Sequence, residues 1–238
     1  LLKVILWDEE IGRLAWDDRR RLSYFTYNPE FIKKGLNVSP LVAPSEGIRA
    51  LSPVWGEEAK IYQKLPAFLA DSLPDAWGNQ LFDLWRQQNH LPNADITPLD
   101  KLTVGTSAGG RQPKAIIAIH RKTGEIRSGQ IAGMDDFDYY LLKFGNSAYS
   151  SAELEKTYYD LAISAGINMM HSQLYSVENN QHFLTKRFDR DGGKKVHTQT
   201  LAAIYPEAES YEQLIMVCRK LHLPEADCQE VFRRMVFN

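Results

Sequence analysis

A lysine, a glutamate and a glycine-rich loop follow one another in an order that suits the binding of phosphate groups. Lys143 lies in the run YYLLKF, where a charge is out of place among apolar and aromatic residues. Residues 105–114 form a loop of small residues, whose backbone N–H groups can approach phosphates closely. Glu155 lies on the helix predicted next, where its carboxylate can orient the lysine. The sequence therefore predicts a phosphate-binding site made from these three parts.

Each of the three parts also has a plainer explanation when it is taken alone. Lys143 fits an edge-strand lysine that points to water, and Glu155 fits an ordinary surface glutamate. The loop GTSAGGRQPK is not a Walker A motif, because it lacks the GK[ST] ending, and it is not the GxGxxG loop of eukaryotic kinases. The order of elements over residues 102–188 favours the chemical interpretation. It runs strand, glycine-rich loop, strand, strand with a lysine, helix, strand, strand, which is the order of the small lobe of a protein-kinase-like fold.

The elements that must position these residues are predicted from periodicity and residue type, and together they give an α+β fold. In the first part of the chain we predict a buried strand at residues 1–7, strands at 11–16 and 22–27, and helices at 59–73 and 77–89. In the central part we predict strands at 102–104, 115–120, 139–144, 173–177 and 183–188. The last predicted helices lie at 211–221 and 226–237, and the second of these has no terminating glycine or polar tail.

The helix that carries Glu155 is predicted to begin at Ser150 and to end before Gly166. Ser150 and Glu153 fit a capping box, in which each side chain accepts a hydrogen bond from the other residue's backbone N–H. Gly166 suits the position after the helix, because glycine takes a positive φ without cost. The apolar residues that recur at helical spacing, the pattern of a core-facing stripe, are Leu154, Tyr158, Leu161, Ala162 and Ala165.

Composition restricts the class of protein. Hydrophobic residues make up 44% and charged residues 24% of the 238 residues, which is ordinary for a globular chain. The net charge of −2 argues against a nucleic-acid-binding surface spread over the whole chain. We expect no membrane association, because no apolar run approaches the roughly 20 residues needed to span a bilayer. No signal peptide is visible and Cys218 and Cys228 are expected to be buried, reduced thiols, which predicts a cytoplasmic location.

Several stretches of the chain resemble, in the right order, those of HipA-family serine/threonine kinases. They are GTSAGGRQPKAIIAI, TGEIRSGQ, YYLLKF, EKTYYDLA and the KRFDR of residues 186–190. In the first part of the chain, PAFLADSLPDAWGNQL resembles the family's LPEG region, with residues 75–78 as a variant. The resemblance covers nearly the whole chain. It implies a HipA N-terminal subdomain at residues 1–98, a kinase-like small lobe at 99–188, and the start of a helical large lobe at 189–238.

The resemblance also implies roles for individual residues. Ser107 falls on the autophosphorylated loop serine of these kinases, Lys143 on the ATP-binding lysine, and Glu155 on the glutamate of the helix. The stretch expected to contact phosphates comprises Gly109, Gly110, Arg111, Gln112, Pro113 and Lys114. The hinge expected to hold adenine comprises Lys186, Arg187 and Phe188.

Two departures from the family pattern stand out. Lys186 replaces an acidic residue that is common at this position. His197 falls near a usual histidine, but Thr198, Gln199 and Thr200 stand where acidic residues usually follow. Asp189 and Asp191 lie close to the hinge and are interpreted as turn residues.

The function implied by the resemblance is that of an ATP- and Mg²⁺-dependent protein serine/threonine kinase, the toxin of a type II toxin–antitoxin pair. Such a toxin arrests growth, a route to persistence, by phosphorylating a translation-related protein, typically an aminoacyl-tRNA synthetase. The implied partner is a HipB-like antitoxin, through which alone the protein would contact DNA. The catalytic aspartate and the Mg²⁺ ligands are expected beyond Asn238, so we expect the chain by itself not to transfer phosphate.

Two other classes of function stay open on the sequence. The first is a binding module, in which a fragment keeps nucleotide or antitoxin contacts without catalysis. The second is the nucleotide-binding lobe of another ATP-dependent ligase or kinase. No competing metal site is apparent, because the six histidines show no zinc spacing.

Overall fold

The computed structural model describes residues 1–45, 50–51, 62–74, 79–80, 83, 87, 97–104, 112–131, 133–145 and 149–238. The chain divides into two compact units. The first comprises residues 1–109 and 199–223, and the second comprises residues 110–198 and 224–238.

The first unit is built on an antiparallel three-stranded sheet in the order β1-β2-β3. Its strands are β1 (Leu2–Leu6), β2 (Glu9–Asp17) and β3 (Leu22–Tyr27). The bounds of β3 agree with the prediction, and β1 and β2 pair across a tight turn as expected. The prediction that residues 1–7 form a buried strand is wrong, because side chains of β1 alternate and Ile5 remains 63% exposed. An outer strand that covers the core with one face only has this period-2 pattern.

Aromatic residues of β3 form the centre of this unit's core. The Phe25 ring is fully buried and makes edge-to-face contacts with Tyr27 at 4.9 Å and Phe68 at 5.2 Å. The Tyr27 hydroxyl donates to the Ala43 carbonyl at 2.7 Å, and burial raises the pKa of Tyr27 to about 12. Asn28 then caps the short helix α1 (Pro29–Ile32) by accepting from the Glu30 N–H. This hydrogen bond ties the segment around Ala43 to β3.

Two predicted helices and one predicted strand of this unit have different outcomes. The helix predicted at 59–73 is too long. Residues 62–65 are a turn, and within the described part of this range only α2 (Ala67–Ala70) is helical. The strand predicted at 102–104 is wrong, because these residues are the last turn of helix α3 (Pro98–Val104). Pro98 suits a first helical position, and the helix it starts overrides the local strand propensity. The helix predicted at 77–89 lies largely outside the described residues.

The second unit holds an antiparallel five-stranded sheet in the order β5-β4-β6-β8-β7. Its strands are β4 (Lys114–His120), β5 (Ile126–Ser128), β6 (Phe137–Lys143), β7 (Ser172–Val177) and β8 (Asn180–Lys186). The predicted strands at 115–120, 139–144, 173–177 and 183–188 correspond to β4, β6, β7 and β8. The buried residues Ala118, Phe137 and Tyr139 form its core cluster.

Helix α4 (Ser151–Ser164) packs on β7 and β8. The predicted capping box is wrong, since Ser150 has a left-handed backbone (φ 44°, ψ 42°) and its side chain makes no cap hydrogen bond. The predicted end is confirmed, because Gly166 follows the helix with φ 74°. The predicted apolar stripe is wrong for Leu154, Tyr158 and Leu161, which are more than half exposed, whereas Ala162 is buried as expected.

After β8 the second unit continues with a two-stranded hairpin, β9 (Arg190–Asp191) and β10 (Lys194–Lys195). The first unit then adds α5 (Leu201–Ile204) and α6 (Tyr211–Lys220), and α6 begins with a capping box of Ser210 and Gln213. Helix α7 (Glu225–Phe237) belongs to the second unit. Cys218 and Cys228 are both buried thiols rather than halves of a disulfide, as predicted. None of the described helices is long and apolar enough to cross a bilayer.

The packing of Phe25 generates a prediction about stability. Phe25→Ala should lower the free energy of unfolding of the first unit by about 3–5 kcal/mol, because the ring leaves a cavity at the centre of the core. Urea unfolding followed by tryptophan fluorescence measures this unit selectively, because all five tryptophans lie in residues 1–109. Ile5→Ala is the matched control at a 63% exposed position and should change stability by no more than about 0.5 kcal/mol. Equal effects of the two changes would contradict this description of the core.

Candidate functional site

Lys143 lies at the end of the central strand of the five-stranded sheet. Strand β6 is hydrogen-bonded to β4 on one side and to β8 on the other, so the edge-strand explanation of this lysine is wrong. Directly opposite Lys143 stand Lys114 on β4 and Phe183 on β8. Residues opposite each other in an antiparallel ladder share a face of the sheet. The two lysines and the buried Phe183 ring, 5.8 Å from the Lys143 Nζ, therefore lie on one face.

Glu155 is the partner of Lys143. The Lys143 Nζ donates to the Glu155 Oε2 at 2.5 Å, and the two side chains are only 28% and 27% exposed. A short charge-assisted hydrogen bond between partly desolvated groups fixes the ammonium in one direction. Glu153, two residues earlier, points to solvent. Of these two glutamates, Glu155 is therefore the one that contacts Lys143.

Small residues explain how α4 brings Glu155 to the strand. Ala152 and Ala162 are 1% and 2% exposed, and with Glu155 and the half-buried Tyr159 they recur at helical spacing on one side of the helix. Because alanine is short, this side can approach the sheet closely, and the larger apolar residues are left outside. The need for Glu155 to reach Lys143 therefore determines which side of α4 faces the sheet.

The glycine-rich loop enters the site through the start of β4. Four residues that were predicted there, Ser107, Gly109, Gly110 and Arg111, lie outside the described residues. Beyond them, the Gln112 side chain donates to the Phe144 carbonyl at 3.4 Å, and the Phe144 N–H donates to the Pro113 carbonyl at 3.0 Å. These two bonds join the exit of the loop to the residue after Lys143. Lys114 then follows directly opposite Lys143.

An open cleft of about 540 Å³ lies beside this junction. Its lining includes no atom of Lys143 or Glu155, so the cleft adjoins the ion pair but does not contain it. A glycine is required at its wall, because a Cβ on Gly145 would overlap the Gln181 carbonyl oxygen. The described residues that line the cleft are Gln112, Pro113, Phe144, Gly145, Tyr149, Ser151 and Asn180.

The predicted hinge lies at the other end of the β6–β8 ladder. Lys186 faces Tyr140 across the ladder, three residues from the Lys143 level, which corresponds to roughly 10 Å along a strand. The Lys186 N–H donates to the His171 carbonyl and the Arg187 N–H to the Tyr139 carbonyl. The Phe188 side chain is 66% exposed. Lys186, which replaces an acidic residue of the family pattern, pairs with Asp138 on β6 at 3.1 Å.

Asp189 is a functional candidate that the sequence analysis missed. It was interpreted as a turn residue, but its carboxylate accepts two hydrogen bonds from Arg187, at 2.7 and 2.5 Å, and one from Arg190 at 2.8 Å. Burial alone raises the pKa of Asp189, but the hydrogen bond and charge of Arg187 and the charge of Arg190 outweigh it, so this pKa is lower than usual. The signal in the sequence is the spacing R-x-D-R, with a cation on each side of one carboxylate.

Thr200, the last residue of the second departure from the family pattern, has a local structural role in the first unit. Thr200 caps α5 by accepting from the Ala203 N–H, and it also donates through its own N–H and hydroxyl to the two oxygens of Asp71. A threonine caps a helix nearly as well as aspartate. The change from acid to threonine is therefore compatible with this local fold.

No assignment to a metal follows from the geometry. Across the residues that the structure places, no three His, Cys, Asp or Glu side chains are grouped so as to hold a metal ion.

The sheet, the helix and the ion pair between them define the class. An antiparallel five-stranded sheet whose central strand carries a lysine, paired with a glutamate of the next helix, is a protein-kinase-like small lobe. Comparison with family models identifies the family within this class. Residues 2–105 match the HipA N-terminal domain, and residues 106–238 match the HipA-like C-terminal domain. The chain belongs to the HipA family.

Comparison with solved structures agrees on the fold. The chain is similar to the HipA protein of Shewanella oneidensis, solved as a complex with HipB and operator DNA, with a TM-score of 0.61 and 16% sequence identity. The match covers 100% of this chain and 68% of that one. No curated protein matches the sequence.

The low pKa of Asp189 generates a prediction about pH. A carboxylate whose folded pKa lies below its usual value of about 3.8 adds stability that is present above this value and is lost as pH falls through the folded pKa. Asp189→Asn should therefore lower the urea midpoint of the second unit at pH 7, and the gap to the parent protein should narrow below about pH 4. The matched control is the exposed Asp191→Asn, which should show only a small gap at any pH. A gap for Asp189→Asn that is constant from pH 7 to pH 3 would contradict the assignment.

Proposed function

We propose that this chain is the nucleotide-binding part of an ATP-dependent protein serine/threonine kinase of the HipA toxin type. The observation that carries the proposal is the ion pair of Lys143 with Glu155 between a central strand and the helix that follows it. An isolated half-buried ion pair adds little to stability, because the loss of hydration offsets the attraction. At the end of a central strand, the pair instead holds the Lys143 ammonium in a fixed position, where it can bind an anion such as a phosphate. Its family membership gives the proposal a second, independent support.

The phosphates of ATP would meet two cations on one face of the sheet. Lys114 and Lys143 are cross-strand neighbours, and like charges at such positions repel unless an anion is close. Glu155 supplies a negative charge beside Lys143, and the phosphate oxygens of ATP would be a further anion on this face. In this arrangement Lys143 contacts the α- and β-phosphates, Glu155 keeps it directed, and residues 109–114 cover the phosphates from the loop.

Adenine would lie at the hinge, about three ladder positions from Lys143. Hinge backbone groups that already bond within the protein are not available for a base, and this applies to the N–H groups of Lys186 and Arg187. In the described ranges the Phe188 N–H donates to no protein acceptor. Phe188 is therefore the hinge residue whose N–H suits a ring nitrogen of adenine.

The remaining parts of the reaction would come from residues other than these. Phosphoryl transfer requires a carboxylate that receives the hydroxyl proton and acidic ligands for Mg²⁺. The family resemblance implies that these groups lie outside the site described above. The same resemblance suggests a HipB-like antitoxin as partner and a translation-related protein, such as an aminoacyl-tRNA synthetase, as substrate. The structural relative was solved with HipB and operator DNA, which supports an antitoxin partner and contact with DNA through it.

Lys143 and Glu155 provide the direct test of this function. In the full-length protein, Lys143→Ala should abolish kinase activity and toxicity while leaving the fold intact, since a cation against phosphate charge in a shielded site is worth several kcal/mol. Glu155→Gln should lower turnover at least about tenfold, because Lys143 loses the partner that directs it. Glu153→Gln, on the same helix but exposed, is the matched control and should retain full activity. Unchanged phosphorylation of a protein substrate by Lys143→Ala would refute the proposal.

The loop serine Ser107 generates a prediction about regulation. A phosphate on Ser107 adds a charge of about −1.5 to −2, competes with ATP for the cations Arg111 and Lys114, and repels the nucleotide phosphates. We therefore expect phosphorylation of Ser107 to weaken ATP binding and to inactivate the kinase. Ser107→Ala should prevent the modification without this effect, and Ser107→Asp should weaken binding only in part. The measurement is ATP affinity of the full-length protein before and after stoichiometric phosphorylation, and equal affinities would make Ser107 an ordinary loop serine.

A further inference from the structure

Asp189 joins the residues on both sides of the exposed hinge residue Phe188. Arg187 approaches the carboxylate with two parallel hydrogen bonds, the bidentate geometry that fixes both groups in one plane. Arg190 reaches the same carboxylate from the other direction and also donates to the Asp189 carbonyl at 2.8 Å. One carboxylate thus fastens residues 187, 189 and 190 to each other.

This cluster is in turn anchored to the core of the sheet at Tyr139. The Arg187 N–H donates to the Tyr139 carbonyl at 2.8 Å, and the Arg190 guanidinium lies over the Tyr139 ring at 5.6 Å. Tyr139 itself is 2% exposed and belongs to the buried cluster of the second unit. The position of the carboxylate is therefore set by the core and not by solvent.

The chain beyond the cluster is held as well. The Val196 N–H donates to the Asp189 carbonyl at 3.1 Å, which closes the β9–β10 hairpin back on the hinge. The hairpin turn also rests against the segment before β6, because the Gly133 N–H donates to the Gly193 carbonyl at 3.0 Å. A Cβ on Gly193 would lie only 3.1 Å from the Met134 carbonyl oxygen. Phe188, by contrast, keeps its ring 66% exposed between fixed neighbours.

We propose that Asp189 is a positioning residue for the nucleotide base, which acts by fixing the backbone of Phe188 through Arg187 and Arg190. This inference rests on the proposed function, because it concerns the same nucleotide site. Asp189 acts through its two arginines, which donate to both of its carboxylate oxygens. It removes the freedom of the hinge before the base arrives, so that binding does not have to order it, which raises affinity without a new contact. The chemical class of ligand is a purine nucleotide whose base, and not its phosphates, depends on Asp189.

The negative charge is essential to this role. Asparagine has nearly the same shape, but its amide offers one oxygen where the carboxylate offers two. Its NH₂ group would be turned towards one of two guanidinium groups that can only donate. The Arg190 side chain, 9% exposed, would then lie buried against a group that does not compensate its charge. Asp189→Asn therefore releases the hinge with a minimal change in volume.

The test uses the full-length protein and three probes: affinity for ATP, affinity for GTP, and the split between KM for ATP and kcat. Asp189→Asn should raise the Kd and KM for ATP about tenfold and reduce the preference for ATP over GTP. The kcat at saturating ATP should stay within about twofold of the parent value. Asp189→Glu keeps the charge and should fall between the two. Asp191→Asn, which removes the same charge two residues later, should leave all three readouts unchanged.

Each alternative result has a defined meaning. An unchanged ATP affinity in Asp189→Asn, or a lower kcat with unchanged KM, overturns the positioning role. An equal loss of ATP and GTP affinity also overturns it, since that result indicates general damage. If Asp189→Asn does not fold, Arg187→Lys decides: it keeps the charge but loses the parallel hydrogen bonds, and an unchanged ATP affinity then overturns the role. If the parent protein binds no ATP, or Lys143→Ala binds it normally, the proposed function fails instead.

Discussion

A lysine that ends a central strand needs a fixed anion, and in this protein Glu155 provides it. The Lys143 side chain is surrounded by neighbouring strands on both sides, with another lysine opposite it and a buried aromatic ring nearby. The ion pair of 2.5 Å is possible only if α4 lies close to the sheet, and this requirement explains why alanines form its inner face. The exposure of Leu154, Tyr158 and Leu161 is the consequence, because the helix cannot turn its larger residues inward and still present Glu155.

The β6–β8 ladder links this ion pair to the hinge. Strand register places Lys143 opposite Phe183 and Tyr140 opposite Lys186, so the two ends of the site are parts of one rigid pairing. Ion pairs fix the hinge end of this ladder, as the Lys143–Glu155 pair fixes the other end. Lys186 pairs with Asp138, and Asp189 accepts from two arginines. A nucleotide bound along this ladder would meet a fixed cation at one end and a fixed backbone at the other.

The sequence predicts the order of the helices and strands well, but it predicts poorly which side of each element is buried. Strand β3 has the predicted bounds and Gly166 ends its helix as expected. The predicted strands and helix of the second unit are found in the predicted order, with one further short strand, β5, that was not predicted. These features depend on local signals. The Ser150–Glu153 capping box, the apolar stripe of α4 and the strand at 102–104 are wrong because tertiary packing decides between local alternatives. Asp189 was missed because the importance of a turn carboxylate depends on which cations fold back to it, although the R-x-D-R spacing was visible.

The central claim is that Lys143, held by Glu155, binds the phosphates of ATP. An acyl-phosphate derivative of ATP tests it most directly, since it transfers its acyl group to a lysine that lies beside the bound phosphates. Full-length protein would be treated with this reagent, with and without excess ATP, and its lysines quantified by mass spectrometry. The account predicts strong labelling of Lys143 or its cross-strand neighbour Lys114, loss of that labelling with excess ATP, and little labelling of the exposed Lys122 or Lys195. Uniform labelling of surface lysines that ATP does not suppress would contradict it.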